Sequence, residues 1–238
     1  SIPRSFDVAK LFYNEEIAPV FEVAIPMVTN SLSLIRVAEY YKQFVSGKSQ
    51  SRLLTGDQPI SSWLGDFSPK TIRVIPLIED QESILKAHQI VEEFITHQKI
   101  EDYQRVWLAR SDPALNYGSL PTVLIEKIGL QNLHELSKKL SVDIHPILGC
   151  GSAPFRGNFR PTNVGDNLKA YPSVKTFTIQ SAFKYDYDSQ VVREAIEEIE
   201  STPTKRPIFV DTQVLLPIIN KVGQAYQDQI KLIAGMVN

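Results

Sequence analysis

The apolar positions of the chain fall into two alternating patterns. One is short, continuous and β-branched: FEVAIPMV at 21–28, TIRVIPLI at 71–78, RVWLA at 105–109, VDIHPILG at 142–149 and KTFTIQ at 175–180. Runs of this length read as strands buried on both faces of a sheet. The other pattern is long and has helical spacing. SLSLIRVAEYYKQFV at 31–45 puts Leu32, Ile35, Val37 and Tyr41 near one broad face. QESILKAHQIVEEFITHQ at 81–98 puts Ile84, Leu85, His88, Val91 and Ile95 on one stripe, with Glu82, Lys86, Glu92 and Glu93 on the other side. Further helices are predicted at about 121–140, 188–201 and 211–235. Strand and helix in alternation predict a parallel α/β architecture.

Pro26, Pro76 and Pro146 interrupt the strand segments and mark bulges or strand ends, because proline brings no ladder donor. The stretches 46–70 and 156–173 read as long irregular loops, the first with a short helix; loops of that length in an α/β domain are functional or mobile. No repeat, low-complexity linker or domain boundary stands out, so residues 1–238 read as one α/β domain or a fragment of one.

Composition narrows the class. With 43% hydrophobic and 22% charged residues, the chain has the makings of a full core and is not intrinsically disordered. A single cysteine rules out an internal disulfide and a Cys-rich zinc site. A net charge of -2, with no stripe of basic and aromatic residues, gives no footprint for nucleic acid. No apolar run is long enough to span a bilayer, and SIPRSFDVAK does not read as a signal peptide. These features predict a reduced, cytoplasmic setting with no membrane and no nucleic-acid partner.

Polar residues gather just after the strands: Glu79-Asp80, Arg110-Ser111-Asp112, Gly149-Cys150-Gly151-Ser152 with Arg156 and Arg160, and Gln180-Ser181 with Lys184. The carboxyl ends of parallel strands carry the active site in a barrel and in an open sheet alike. Glu79 and Asp112 have two readings. On neighbouring strands they could share one divalent cation, since Mg²⁺ and Mn²⁺ favour carboxylate oxygen. Alternatively each caps the helix that follows it, a role for which Asp80 is the better candidate of its pair.

GCGSAPFRG at 149–157 also has two readings. Its glycines, with Arg156 and the nearby Arg160, could cradle an anion. It could equally be a tight turn followed by an ion-paired arginine, and it lacks the ending of a P-loop. His88, His97 and His134 lie within predicted helices and His145 early in its strand, all read as structural. Cys150 has no histidine spaced to activate it.

EVAIPMVTN, VIPLIED, LARSDPALNYG, GSAPFRG and TIQSAFKYD, in this order over about residues 20–190, resemble the archaeal-type phosphoenolpyruvate carboxylases, a family also found in some bacteria. The resemblance implies a (β/α)8 TIM-type barrel, present here at least in part. It implies Mg²⁺ (or Mn²⁺), phosphoenolpyruvate and bicarbonate as cofactor and substrates, oxaloacetate and phosphate as products, and a homotetramer. It assigns Glu79 and Asp112 as metal ligands and Arg156 to the phosphate and bicarbonate pocket. Arg110, Gln180 and Lys184 lie in matching motifs: Arg110 is expected, with Arg156, to be catalytic, and Gln180 and Lys184, like Arg160, Gly151 and Ser152, are expected at the substrate. Family chains are considerably longer, and their Gln-His-Pro-Asp stretch, whose histidine is expected to serve carboxylation, has no counterpart in these residues. Five strands also fall short of eight. The resemblance therefore implies a fragment, or a chain completed by another.

In the implied reaction bicarbonate attacks the phosphate of phosphoenolpyruvate, giving carboxyphosphate and an enolate. Carbon dioxide released in the pocket then joins the enolate carbon. The 46–70 loop, with Trp63, is a candidate lid, and an exposed aromatic that packs its own loop is an equal reading of Trp63. Two other readings remain: another metal-dependent barrel lyase or aldolase acting on a phosphorylated or enolisable acid, which would not need bicarbonate, and a non-catalytic assembly subunit.

Overall fold

The computed structural model describes residues 2–149 and 159–237. The chain packs as two compact units, one of residues 1–25 and 30–76, the other of residues 26–29 and 77–238. The division runs through a turn and through a strand. No linker marks it, which is why composition gave no sign of it.

The first unit holds α1 (Ile2–Tyr13), β1 (Glu22–Ile25), α2 (Ser31–Tyr40), α3 (Ser61–Leu64) and the start of β2 (Arg73–Ile78). β1 and β2 run parallel, with Glu22 opposite Arg73 and Ile25 opposite Pro76. Asn30 starts α2 by accepting the Ser33 N–H on its Oδ1 at 3.2 Å. The helix predicted to 45 instead turns π-helical over Tyr41–Ser46 and ends at Gly47, whose N–H donates to Lys42 O. A Cβ at Gly47 would stand 2.7 Å from that oxygen, so glycine closes the turn. The long loop is tied back by Tyr41 Oη, which donates to Pro69 O at 2.9 Å, and by Ser46 Oγ, which donates to Phe67 O at 3.0 Å.

The second unit holds the end of β2, then α4 (Gln81–Leu85), α5 (Ala87–Gln98), β3 (Tyr103–Ala109), α6 (Ser111–Tyr117), α7 (Ser119–Leu140) and β4 (Asp143–Gly149). α8 (Val164–Ala170), β5 (Thr176–Phe177), α9 (Ser181–Tyr185), α10 (Ser189–Ser201) and α11 (Thr212–Val237) complete it. Leu77 pairs with Trp107, Val106 with Pro146, and Leu148 with Phe177, all in parallel register. The strand order is β1-β2-β3-β4-β5. A sequential parallel order without reversal is that of a partial (β/α)8 barrel; a doubly wound sheet reverses direction at a switch point.

Local chemistry explains the departures from the predicted limits. Pro146 lies inside β4, with its carbonyl accepting the Lys175 N–H at 3.0 Å just before β5 begins. A strand residue turns its N and its carbonyl to the same neighbour, so the missing donor faces a stretch where there is no ladder to break. The helix predicted over 81–98 breaks at Lys86 (φ -98°, ψ 6°). Leu85 O there accepts from Asn132 Nδ2 of α7 at 3.4 Å. Gly118, at φ 88°, separates α6 from α7, a conformation that L side chains rarely adopt. The central helix of this unit is α7, which packs against α4, α5, α6, α11 and β4. Its Ile125, Ile128 and Leu133 are fully buried, alongside Leu108 and Leu148 of the sheet.

Candidate functional site

Within the second unit the strand ends bring the acidic residues to one rim. β2 ends at Ile78, which pairs with Leu108 of β3, so Glu79 and the 110–112 segment leave adjacent strands at the same end. Glu79 and Asp80 take different jobs. Asp80 is the N-cap of α4, its Oδ1 accepting the Ser83 N–H at 2.9 Å. Glu79 is left out of the helix, and its Oε2 accepts the N–H of Met27 at 2.6 Å. Met27 sits in the turn after β1 with φ 54°. The left-handed region costs a non-glycine residue about 1–2 kcal/mol. The next amide, Val28 N–H, donates to Leu77 O at 3.1 Å and pins the same turn to β2.

Asp112 is exposed in the first turn of α6, two residues after the N-cap Arg110, and no side-chain hydrogen bond closes that helix end. The charge is favourably placed there against the helix dipole. It has no hydrogen bond or ion pair among the described residues. One carboxylate with an oxygen held by an amide, and another after the adjacent strand with none held, would leave most coordination positions of a shared ion to water and substrate. That donor set fits Mg²⁺ or Mn²⁺, which take one or two carboxylates in this way. It does not suit a closed structural site, and among the described residues no group of three or more His, Cys, Asp or Glu could hold a metal alone.

Arg110 faces elsewhere. A Cβ on Gly129 of α7 would meet Leu108 Cδ1 at 3.4 Å, so Leu108 faces α7, and Arg110 leaves the end of β3 toward the same helix. Its Nε lies 3.8 Å from Glu126 Oε2, with both side chains buried. The guanidinium also stands 5.7 Å from the centre of the Tyr171 ring, whose other cationic neighbour is Lys127 Nζ at 5.1 Å. Lys127 Nζ in turn donates to Ala170 O at 2.8 Å. Burial pushes the Glu126 carboxyl up to about 8, against the opposing pull of Arg110, the Tyr171 hydroxyl and Lys127. Neither Glu126 oxygen has a hydrogen bond of normal geometry among the described residues. Sequence reasoning missed Glu126, although the signal was there. It falls on the buried stripe Thr122, Ile125, Gly129, Leu133 and Leu136 of α7, where a carboxylate is out of place.

Gln180 is the N-cap of α9, three residues beyond β5, and its carbonyl accepts the N–H groups of Phe183 and Lys184 at 3.0 and 3.3 Å. Gln180 and Lys184 line one cleft of about 510 Å³ with Ile179, Phe183 and Tyr185. Arg160 is exposed at the turn before α8, its N–H donating to Asn163 Oδ1 at 2.9 Å. Gly151, Ser152 and Arg156, with Cys150, lie outside the described residues. His145 stacks on Tyr103 at 5.4 Å near the start of β4, far along the strand from the rim. Trp63 is exposed in α3 of the first unit. Among the described residues no helix is long and apolar enough to cross a membrane.

A family model described as phosphoenolpyruvate carboxylase matches residues 1–238. Curated relatives agree. The phosphoenolpyruvate carboxylase of Halobacterium salinarum is 48% identical over 243 residues, covering 100% of this chain and 49% of that protein. Those of Methanospirillum hungatei and Pyrococcus furiosus are 45% and 43% identical, each with 100% of this chain and 49% of the relative covered. The chain spans about half the length of the curated relatives it matches.

Proposed function

The chain belongs to the phosphoenolpyruvate carboxylase family, and from that membership we propose that the protein containing it forms oxaloacetate and phosphate from phosphoenolpyruvate and bicarbonate. The observation that carries the reading is the match to this family along all 238 residues. Glu79 and Asp112, at the ends of adjacent strands, support it as the pair that would hold Mg²⁺ or Mn²⁺. When bound, such an ion supplies Lewis-acid stabilisation to the enolate oxygen.

The chain's own groups do the rest. Arg156, Arg160 and Lys184 hold the phosphoryl charge as it passes from phosphoenolpyruvate to bicarbonate, forming carboxyphosphate and releasing the enolate. Gln180, Gly151 and Ser152 offer hydrogen bonds that orient the substrate. Carboxyphosphate then breaks to carbon dioxide and phosphate, and the enolate carbon forms the new bond to carbon dioxide. Water must be kept out meanwhile, since protonation of the enolate gives pyruvate instead. The buried pairing of Arg110 with Glu126 gives Arg110 an indirect part: it anchors the loop that carries Asp112. The same reading makes the protein a cytoplasmic homotetramer.

The test is an assay of the intact protein with Mg²⁺. Oxaloacetate and phosphate are expected in equal amounts, only when bicarbonate is present, and Asp112→Asn is expected to abolish both while the circular dichroism stays unchanged. Turnover without bicarbonate would point to another lyase, and wild-type activity in Asp112→Asn would remove that residue from the mechanism.

A further inference from the structure

We propose that Met27 is a positioning residue for Glu79, acting through its main-chain N–H. The inference rests on the metal reading of Glu79 above and adds a residue to it. Among the described residues, four non-glycine residues have left-handed backbone: Asn14, Met27, Lys99 and Ser141. Asn14, Lys99 and Ser141 directly follow α1, α5 and α7, where that conformation ends a helix. Met27 follows a strand, and helix termination does not account for it.

What the conformation achieves is a matter of direction. Successive N–H groups of an extended strand point to opposite sides. Here the N–H groups of Met27 and Val28 both face the end of β2, one toward Glu79 Oε2 at 2.6 Å and the other toward Leu77 O at 3.1 Å. The left-handed residue is the break in the extended backbone that turns both to the same side. With Oε2 held, the turning of the carboxylate is restricted and Oε1 is left to a ligand. Partners that orient a ligating carboxylate in this way typically contribute 10–100-fold to metal affinity. Met27 is 79% exposed, so side-chain packing does not explain why the backbone is held as it is.

The test varies backbone preference without touching any polar side chain. Gly and Asn enter the left-handed region readily; Val there is an outlier, and Pro lacks the N–H and has φ near ~-65°. In the intact protein, Mn²⁺ affinity by electron paramagnetic resonance is expected within about twofold of wild type for Met27→Gly and Met27→Asn. For Met27→Val and Met27→Pro it is expected to fall by about tenfold or more. KM for Mg²⁺ should follow the same split, with kcat at saturating metal changing less. Wild-type Mn²⁺ affinity in all four variants, or an equal loss in Gly and Val, would overturn the proposal. A second measurement needs neither a folded Val nor a folded Pro variant, nor any metal. Hydrogen exchange at the Met27 amide should speed up by about tenfold or more in Glu79→Ala, and unchanged exchange would overturn the proposal. A wild-type protein that bound no Mn²⁺ would overturn the metal reading, while the exchange result would still decide whether Met27 holds Glu79.

Discussion

Glu126→Gln keeps the shape of a fully buried side chain and removes its proton chemistry. The native carboxyl titrates at about 8, against an ordinary value of 4.5, because burial outweighs the attraction of Arg110. The folded protein therefore keeps a proton that the unfolded chain releases above the ordinary value. The stability this proton contributes is complete below the unfolded pKa and is lost progressively as pH rises through the folded one. At ~1.4 kcal/mol for each pH unit, the whole interval is worth at most about 5 kcal/mol. Glutamine has no proton to release, so its variant escapes that loss. The two proteins should melt together near the low end of the interval and diverge as pH rises. For a domain of this size the gap should reach the order of 10 °C by the high end, with the glutamine variant the more stable. Melting curves of both proteins across the interval, in one buffer series, check this. Parallel curves would mean that Glu126 is ionised alike in both states, held by Arg110 throughout.

Three other outcomes are expected. Asp80→Ala removes the cap on Ser83 N–H and should cost about 0.5–2 kcal/mol in denaturant unfolding, with little change in metal affinity. Gly129→Val should destabilise by about 1–3 kcal/mol, because even a Cβ there meets Ile84 Cγ2 at 3.0 Å and Ile84 O at 3.3 Å in the seam between α4 and α7. Arg156→Ala should raise KM for phosphoenolpyruvate or lower kcat, and an unchanged kcat/KM would leave the arginine a packing role.

The strand segments were legible because a parallel sheet buried on both faces needs continuous β-branched runs, and β2, β3 and β4 lie within a few residues of theirs. The apolar run at 175–180 overstates β5, in which Thr176 and Phe177 pair with β4. The breaks at Lys86 and Gly118 depend on what packs against them: Asn132 reaching Leu85 O at one, the α6–α7 junction at the other. The sequence predicts loop where α8 forms, since seven residues carry too little periodicity to declare a helix. At the site, Glu79, Asp112 and Gln180 were visible as polar residues at strand ends. The turn of Arg110 into the helix layer was not, because its direction depends on a carboxylate 16 residues away on α7. Met27 was hidden for another reason: its contribution is a backbone N–H, to which the side chain gives no clue.

The proposed chemistry depends on one divalent ion shared by Glu79 and Asp112. The most direct measurement is Mn²⁺ binding to the intact protein in wild type, Glu79→Gln, Asp112→Asn and the double variant. Two ligands of one ion should each cost about tenfold or more in affinity, and their losses should fail to add in the double variant. Affinity unchanged in either single variant, or losses that simply add, would mean that the two carboxylates do not share an ion.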